Sequence, residues 1–321
     1  MAVLNLVQAI NQGLQQALAD DDRVLVFGED VAVNGGVFRV TEGLCEKFGE
    51  TRVFDTPLAE SGIVGLAIGL SAFGLRPVAE IQFLGFAYSA IDQIYTHAAR
   101  IRARSRGRFS CPLVIRAPYG GGVKAPELHE ESSEAFFCHM PGIKVVVPSS
   151  PSNARGLLLA AIQDPDPVIY LEPTRLYRLL KEEVAEEPYL IPLGRARIAQ
   201  AGDQLTLIAW GSMLERSLRA ARNYPAEVID LLTLNPFDRE TVLTSVHKTG
   251  RVLIVQEAPK TGGFGAELAA TVAEEMIMSL KAPILRVTGY DVVPPLPLLE
   301  DYNLPSEARI IGAIEELLRY S

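Results

Sequence analysis

Short β-branched runs alternate with longer helical patterns along the first half of the chain. VLVFGED from Val24, RPVAEIQF from Arg76, PLVIRAP from Pro112, KVVVPSS from Lys144 and VIYLEP from Val168 have the length and branching of buried strands. Strands separated in this way by helices imply a parallel α/β sheet. The alternation restarts with LTLIAWG from Leu205, AEVIDLLTL from Ala226, RVLIVQEA from Arg251 and APILRVTG from Ala282. Between the halves, residues 181–192 (KEEVAEEPYLIP) are acidic, carry two prolines and lack a sustained period, and so read as a linker. The expected organisation is two α/β domains, 1–185 and 192–321, with no short repeat or low-complexity tract.

Three helical patterns bear on the chemistry. Over 86–106, Ala87, Ile91, Ile94, Ala98 and Ile101 fall at spacings of four and three, which predicts one inward apolar face and an end at Gly107. Over 61–74, Ser61, Gly65 and Gly69 recur every fourth residue and leave a strip without bulk where another helix can approach. A third helix, over 152–163, follows SSPS, where serine can cap and proline can fill the first turn.

At 321 residues, 48% hydrophobic and 21% charged, the chain has enough to bury for two domains and is neither disordered nor fibrous. Its formal charge of −9 opposes phosphate backbones and anionic lipid, so nucleic acid is a poor partner. No apolar run reaches the roughly 18 residues that span a bilayer, and MAVLNLVQAINQGLQQALADDD has no basic leader, so a cytoplasmic protein is expected. Cys45, Cys111 and Cys138 are widely spaced without a CxxC pair, and packing is their expected role.

Glu60 stands where the strand-like VFDTPLAE turns into the glycine-striped helix. Open α/β sheets bind ligands at such strand ends, yet a carboxylate there also complements a helix dipole, and position alone leaves both readings open. The stretch 119–134 (YGGGVKAPELHEESSE) is long and glycine-rich, with His129 among carboxylates; it suits either a tunable donor or a solvated side chain. His97 and His139 read as structural histidines. Arg100, Arg102, Arg104, Arg106 and Arg108 form a basic run at the end of a helix, facing solvent or a partner's acids. Gly262, Gly263 and Gly265 lack the spacing of a dinucleotide loop.

Several blocks in order, DTPLAESGIVGLAIG, AEIQFLGFAYSAIDQI, GGGVKAPELHEES, PGIKVVVPSSPSNARGLLLAAIQDPDPVIYLEP and EVIDLLTLNPFD among them, resemble the β subunit of the thiamine-diphosphate-dependent pyruvate and branched-chain 2-oxo acid dehydrogenases. The resemblance runs from residue 4 to the C-terminus. It implies a pyrimidine-binding thiamine-diphosphate fold followed by a transketolase C-terminal-like domain. Glu60 matches the carboxyl that meets the cofactor's aminopyrimidine ring, within the signature formed with Gly65, Leu66 and Gly69; Leu70 departs from the glutamine common at its position. Phe86 matches the aromatic residue against that ring, and His129 the histidine facing substrate and the lipoyl group. Glu29 matches an acidic residue on the route between paired active sites. Leu113, Ala161, Ile162, Asp164 and Asp166 match a structural potassium site, with Asp166 standing where asparagine is frequent.

The motif that holds diphosphate and magnesium in thiamine enzymes, Gly-Asp-Gly followed by Asn-Asn, does not occur in the sequence. The resemblance therefore implies an α subunit supplying that half in an α2β2 assembly, and a lipoyl acyltransferase core receiving the acyl group. The glycine strip and the arginine run are candidate contact surfaces. The loop GGGVKAPELHEES is closer to pyruvate-type members, with branched-chain 2-oxo acid and acetoin dehydrogenases as alternatives, and a scaffold without chemistry as the non-enzymatic rival.

Overall fold

A computed structural model describes residues 2–320. Every β-branched run named above forms a strand. The strands are β1 (Ala2–Asn5), β2 (Val24–Gly28), β3 (Val53–Asp55), β4 (Arg76–Glu80), β5 (Val114–Tyr119), β6 (Lys144–Val146) and β7 (Val168–Pro173). They continue with β8 (Lys181–Val184), β9 (Arg197–Gln200), β10 (Leu205–Ala209), β11 (Ala226–Asp230), β12 (Thr233–Asn235), β13 (Val252–Pro259) and β14 (Leu285–Gly289). A seven-stranded sheet has the order β12-β6-β7-β5-β4-β2-β3, parallel except for the edge pair β12–β6. A five-stranded sheet has the order β14-β13-β10-β11-β9, parallel except for β9.

Helices cover both faces of the first sheet, which is why its central strands β2, β5 and β7 are buried along their whole length instead of alternating. On one face Leu6, Ile10 and Leu14 of the helix Leu6–Asp20 pack with Leu157 and Leu158 of the helix Pro151–Gln163. Both helices start with a capping box, Asn5 with Gln8 and Ser150 with Asn153, so the SSPS signal is realised. The opposite face shares one core with the second sheet, where Ile115, Ala117, Trp210, Ile229 and Ile254 are all buried.

Inside the first sheet sits a charged triad. Arg116 on β5 donates to Glu172 on β7 at 2.7 and 3.0 Å and to Glu80 on β4 at 2.8 Å, and all three side chains are buried. The Tyr177 hydroxyl adds a donor to Glu172 at 2.7 Å.

Three expectations need correction. Residues 181–184 are not linker: they form β8, antiparallel to β1, and Arg155 donates to the Ala185 and Glu186 carbonyls just beyond. The run AEVIDLLTL is two strands, because Leu232 at φ +58° turns the chain out of the second sheet and β12 joins the edge of the first. The 86–106 helix begins at Leu84 and changes winding along its length, tight over Leu84–Ala90, wide over Asp92–His97, tight again over Ala98–Arg100 and regular only over Ile101–Arg104. Ala87, Ile94 and Ala98 still face the core, since the altered turns keep the apolar positions on one side. Gly107, at φ +77°, closes the segment as expected.

Candidate active site at the ends of β2 to β5

Four neighbouring strands, β3, β2, β4 and β5, each end in a loop that carries one predicted site residue. Glu29 follows β2, Glu60 opens the helix after β3, Phe86 lies in the tight turns after β4, and His129 is in the loop after β5. All four are half-buried. The four residues thus lie at the carboxyl ends of neighbouring parallel strands, the end at which open α/β sheets bind ligands.

Glu60 is the first residue of the helix Glu60–Ala72, and Ala59 before it offers no side-chain cap. Its carboxylate therefore complements free N–H groups at the helix start. Ser89 Oγ lies 3.2 Å from Glu60 Oε2, leaving Oε1 without a partner among the described residues. Glu29 is pushed above the ordinary carboxyl range by desolvation first, then by the charges of Asp30 and Glu60. That coupling places the two carboxyls in one electrostatic neighbourhood. Asp30 is held at φ +58°, its carboxylate receives Gln82 Nε2 at 3.2 Å, and Asp55 accepts the Ala32 N–H at 2.7 Å, which fixes the loop behind Glu29.

His129 packs edge-on against two rings, Phe83 at 4.5 Å and Phe86 at 5.1 Å between centroids. Two contacts hold its loop there. Gly85 lies so close to Leu128 that an added Cβ would come within 2.3 Å of the Leu128 carbonyl oxygen, a distance only glycine tolerates. Tyr88 donates to Glu131 at 3.0 Å, and its hydroxyl is pushed up to about 12, chiefly by burial. Leu128 itself sits at φ +71°, strain concentrated next to the histidine. His129 Nδ1 is 3.3 Å from the Glu127 carbonyl.

The arrangement is a carboxylate with one oxygen free at the helix start, linked through the Ser89 hydroxyl to the turn that carries Phe86, whose ring meets the His129 imidazole edge-on. The profile for "Transketolase, pyrimidine binding domain" matches residues 3–179, and that for "Transketolase, C-terminal domain" matches 194–310. The pyruvate dehydrogenase E1 component subunit beta of Staphylococcus epidermidis is 51% identical over 325 residues, covering 100% of both chains. The protein of the same description from Bacillus subtilis strain 168 is 49% identical over 325 residues, again covering 100% of both. This chain belongs to the pyruvate dehydrogenase E1 β-subunit family. The family is thiamine-diphosphate dependent. Among solved structures, a split-gene transketolase, an inactive β4 tetramer, superposes with a TM-score of 0.79 at 24% identity over 99% of each chain, and shares the fold.

Other predicted residues of this E1 β chain fall elsewhere. Leu113, Ala161, Ile162, Asp164 and Asp166 gather where the helix Pro151–Gln163 turns into β7 beside the start of β5. The Leu113 carbonyl accepts Val168 N–H at 2.8 Å, Ala161 accepts Asp164 N–H at 3.2 Å, and Ile162 accepts Arg76 Nη1 at 2.7 Å. Lys144 holds the Asp164 carboxylate at 2.6 Å and Arg102 holds Asp166 at 2.5 Å. Each carbonyl retains a second lone pair, while Arg76, Lys144 and Arg102 already supply positive charge to this group of oxygens.

The arginine run is exposed, with Arg100 stacked 4.6 Å above the Tyr95 ring. His97 and His139 are exposed instead of packed. Gly263 and Gly265 pack on Gln256, whose Oε1 accepts the Gly265 N–H at 2.7 Å, so that glycine cluster serves the junction of β13 with its helix. Along the 61–74 helix, Gly65 lies near Gln93, whereas a Cβ at Gly69 would meet nothing within 4 Å among the described residues, and Leu66 and Phe73 are exposed. The three cysteines are free, and Cys111 is buried. No helix among the described residues is long and apolar enough to cross a membrane.

Proposed function

We propose that this chain is the β subunit of a pyruvate-decarboxylating E1 component, acting with an α subunit in an α2β2 assembly and passing the acyl group to the lipoyl group of an acyltransferase core. The convergence of Glu60, Phe86 and His129 on adjacent strand ends carries this reading. Thiamine diphosphate, when bound, supplies a thiazolium carbon that attacks the 2-oxo carbonyl and accepts the electrons released with carbon dioxide. This chain's residues meet the pyrimidine end.

Glu60 has Oε2 beside the Ser89 hydroxyl and Oε1 free to hold a proton at the ring nitrogen, which makes the exocyclic nitrogen a stronger base. Phe86 offers an apolar surface that keeps the ring out of water. His129 has Nδ1 directed at the Glu127 carbonyl, so Nδ1 carries the N–H and Nε2 of the neutral ring is an acceptor, which donates to the substrate or to the incoming lipoyl sulfur only after taking up a proton. Glu29, raised by burial and its acidic neighbours, holds a proton more readily than an ordinary carboxyl and suits the path between paired sites.

The sequence lacks the diphosphate and magnesium motif, so those groups fall to the α subunit. The exposed Leu66 lies on a mostly apolar helix with Gly69, and the exposed Phe73 follows its end, a surface suited to burial by that partner. Residues 1–185 and 192–321 are the proposed domain limits. The carbonyls of Leu113, Ala161, Ile162 and Asp164, with Asp166, would hold potassium in a purely structural role.

Reconstitution tests the reading. The chain with its α partner is expected to decarboxylate pyruvate in preference to 3-methyl-2-oxobutanoate and acetoin in a dye-reduction assay, and the chain alone to be inactive. Turnover confined to the branched-chain acid or to acetoin would move the assignment to those relatives. No turnover by an assembled pair on any of the three would leave the scaffold reading.

A further inference from the structure

The glycines at the neck of the histidine loop are pressed against the second sheet. Glu257, on β13, accepts the Gly121 N–H at 2.5 Å on Oε1 and the Ser212 hydroxyl at 2.5 Å on Oε2. Glu257 is 7% exposed and Ser212 2%, so water competes little for either bond. The approach is close from both sides. A Cβ at Gly120 would come within 2.6 Å of Glu257 Oε1, and one at Gly211, just before Ser212, within 2.3 Å of the Tyr119 hydroxyl. Only glycine lets the neck of the loop and the turn before Ser212 meet in this way. The Thr174 hydroxyl, 2.9–3.1 Å from the carbonyls of Tyr119, Gly120 and Gly121, and the Gly120 N–H, 2.9 Å from the Glu131 carbonyl, close the neck within the first sheet's own loops.

We propose that Glu257 is a positioning residue: from the second sheet it holds the Gly121 amide, fixes the start of the loop 120–131 and thereby sets His129 against Phe83 and Phe86. The catalytic consequence rests on the function proposed above; the contact itself stands on the hydrogen bonds. Both partners of the carboxylate are donors, and a carboxylate offers only acceptors, so each of its oxygens has a fixed task. Ser212 aims the group and Gly121 receives it. The far end of the loop is braced by the first sheet, through Gly85 against Leu128 and Tyr88 on Glu131. Glu257 thus supplies the tie at the opposite end, and the Lys124 N–H on Glu300 at 3.1 Å adds a second, longer one to the same half of the chain.

Two substitutions separate reach from charge. Glu257→Gln keeps the length: its carbonyl oxygen accepts the Gly121 N–H and its amide donates to the Ser212 oxygen. Glu257→Asp keeps the charge but is one methylene shorter, so it cannot serve both partners from β13. Positioning therefore ranks Gln above Asp, whereas a role in supplying negative charge ranks Asp above Gln. Gly120→Ala perturbs the same contact from the loop side, since its methyl would lie against Glu257 Oε1 while β13 keeps its own sequence.

Amide hydrogen exchange of the full chain at one fixed pH, followed by mass spectrometry over 120–131, reads the contact without any need for turnover. Glu257→Asp and Gly120→Ala should each speed exchange in this segment about tenfold, and Glu257→Gln should keep the wild-type rate, with β2 and β11 unchanged in all three as internal controls for folding. In the enzyme reconstituted with its α partner, Glu257→Asp should slow acyl transfer to lipoyl about tenfold and leave proton exchange at the thiazolium carbon alone. Combined with His129→Ala it should add nothing to the loss from His129→Ala, because the effect passes through the histidine. Exchange in Glu257→Gln as fast as in Glu257→Asp overturns the proposal, as does wild-type exchange in both Glu257→Asp and Gly120→Ala, or a double variant slower than His129→Ala by the full factor of Glu257→Asp. The exchange measurement decides whether Glu257 holds the loop even where the roles given to Glu60 and His129 fail, so the two readings fail separately.

Discussion

Arg116→Met removes the cation from the centre of the first sheet and keeps an unbranched side chain of similar length. The guanidinium is 1% exposed and makes three bonds of 2.7–3.0 Å to Glu80 and Glu172, themselves 6% and 0% exposed. The substitution leaves two buried carboxyls with only the Tyr177 hydroxyl as a remaining donor to Glu172. Breaking a buried ion pair from one side costs about 3–5 kcal/mol, because the remaining charge is neither hydrated nor compensated. In urea the unfolding midpoint should fall by on the order of 1 M or more at pH 7. The triple variant Glu80→Gln, Arg116→Met, Glu172→Gln removes all three charges together and should recover most of the loss, since neutral replacement of a buried ion cluster is often nearly neutral in energy. The sign with pH is fixed as well. Glu80 is already raised by burial, and Arg116 is the group that lowers it. Without Arg116 its folded-state value rises further, so the deficit of the single variant should shrink as pH falls toward 4.5, where the unfolded carboxyl also takes up its proton. A midpoint change worth less than about 1 kcal/mol at pH 7, or a triple variant as weak as the single one, would refute the claim that this triad is a compensated buried unit.

Gly85→Ala should displace the 120–131 loop, since the new methyl would lie 2.3 Å from the Leu128 oxygen; activity of the reconstituted enzyme should drop at least tenfold, on the order expected when a catalytic group is misplaced by about 1 Å, while the thermal midpoint moves little. His129→Ala should spare proton exchange at the thiazolium carbon and slow acyl transfer to lipoyl by about 10²- to 10⁴-fold, read by comparing single-turnover decarboxylation with lipoyl reduction.

The strands were legible because a parallel sheet covered on both faces demands mostly apolar, β-branched runs, and VLVFG, VIRAPY and VIYLEP satisfy that demand locally although Arg116 and Glu172 interrupt the last two. The place of Glu60 at a strand–helix junction was legible from position, whereas the role assigned to it came from the resemblance alone. What stayed hidden depends on distant pairing. β8 reads as an acidic linker because KEEV is an exposed edge strand whose partner is at the N-terminus. β12 is three residues that cross to the other sheet, too short for any period to declare. The altered winding after Leu84 was invisible because apolar spacings of three and four fit tight, regular and wide turns alike. Ser89, Tyr88 and Gly85, which brace Glu60 and the histidine loop, carry no motif; their only signal is that they share a helical turn with Phe86.

The central claim is that Glu60 activates the cofactor before any carbon bond breaks. Glu60→Gln preserves the side chain's size and the oxygen facing Ser89, yet an amide cannot hold a proton at the ring nitrogen as a carboxyl does. Hydrogen–deuterium exchange at the thiazolium carbon, followed by NMR on the variant assembled with its α partner, measures that step alone. Exchange slowed by about 10²- to 10⁴-fold in an intact assembly is the predicted result. Exchange at the wild-type rate in the same assembly would contradict the account.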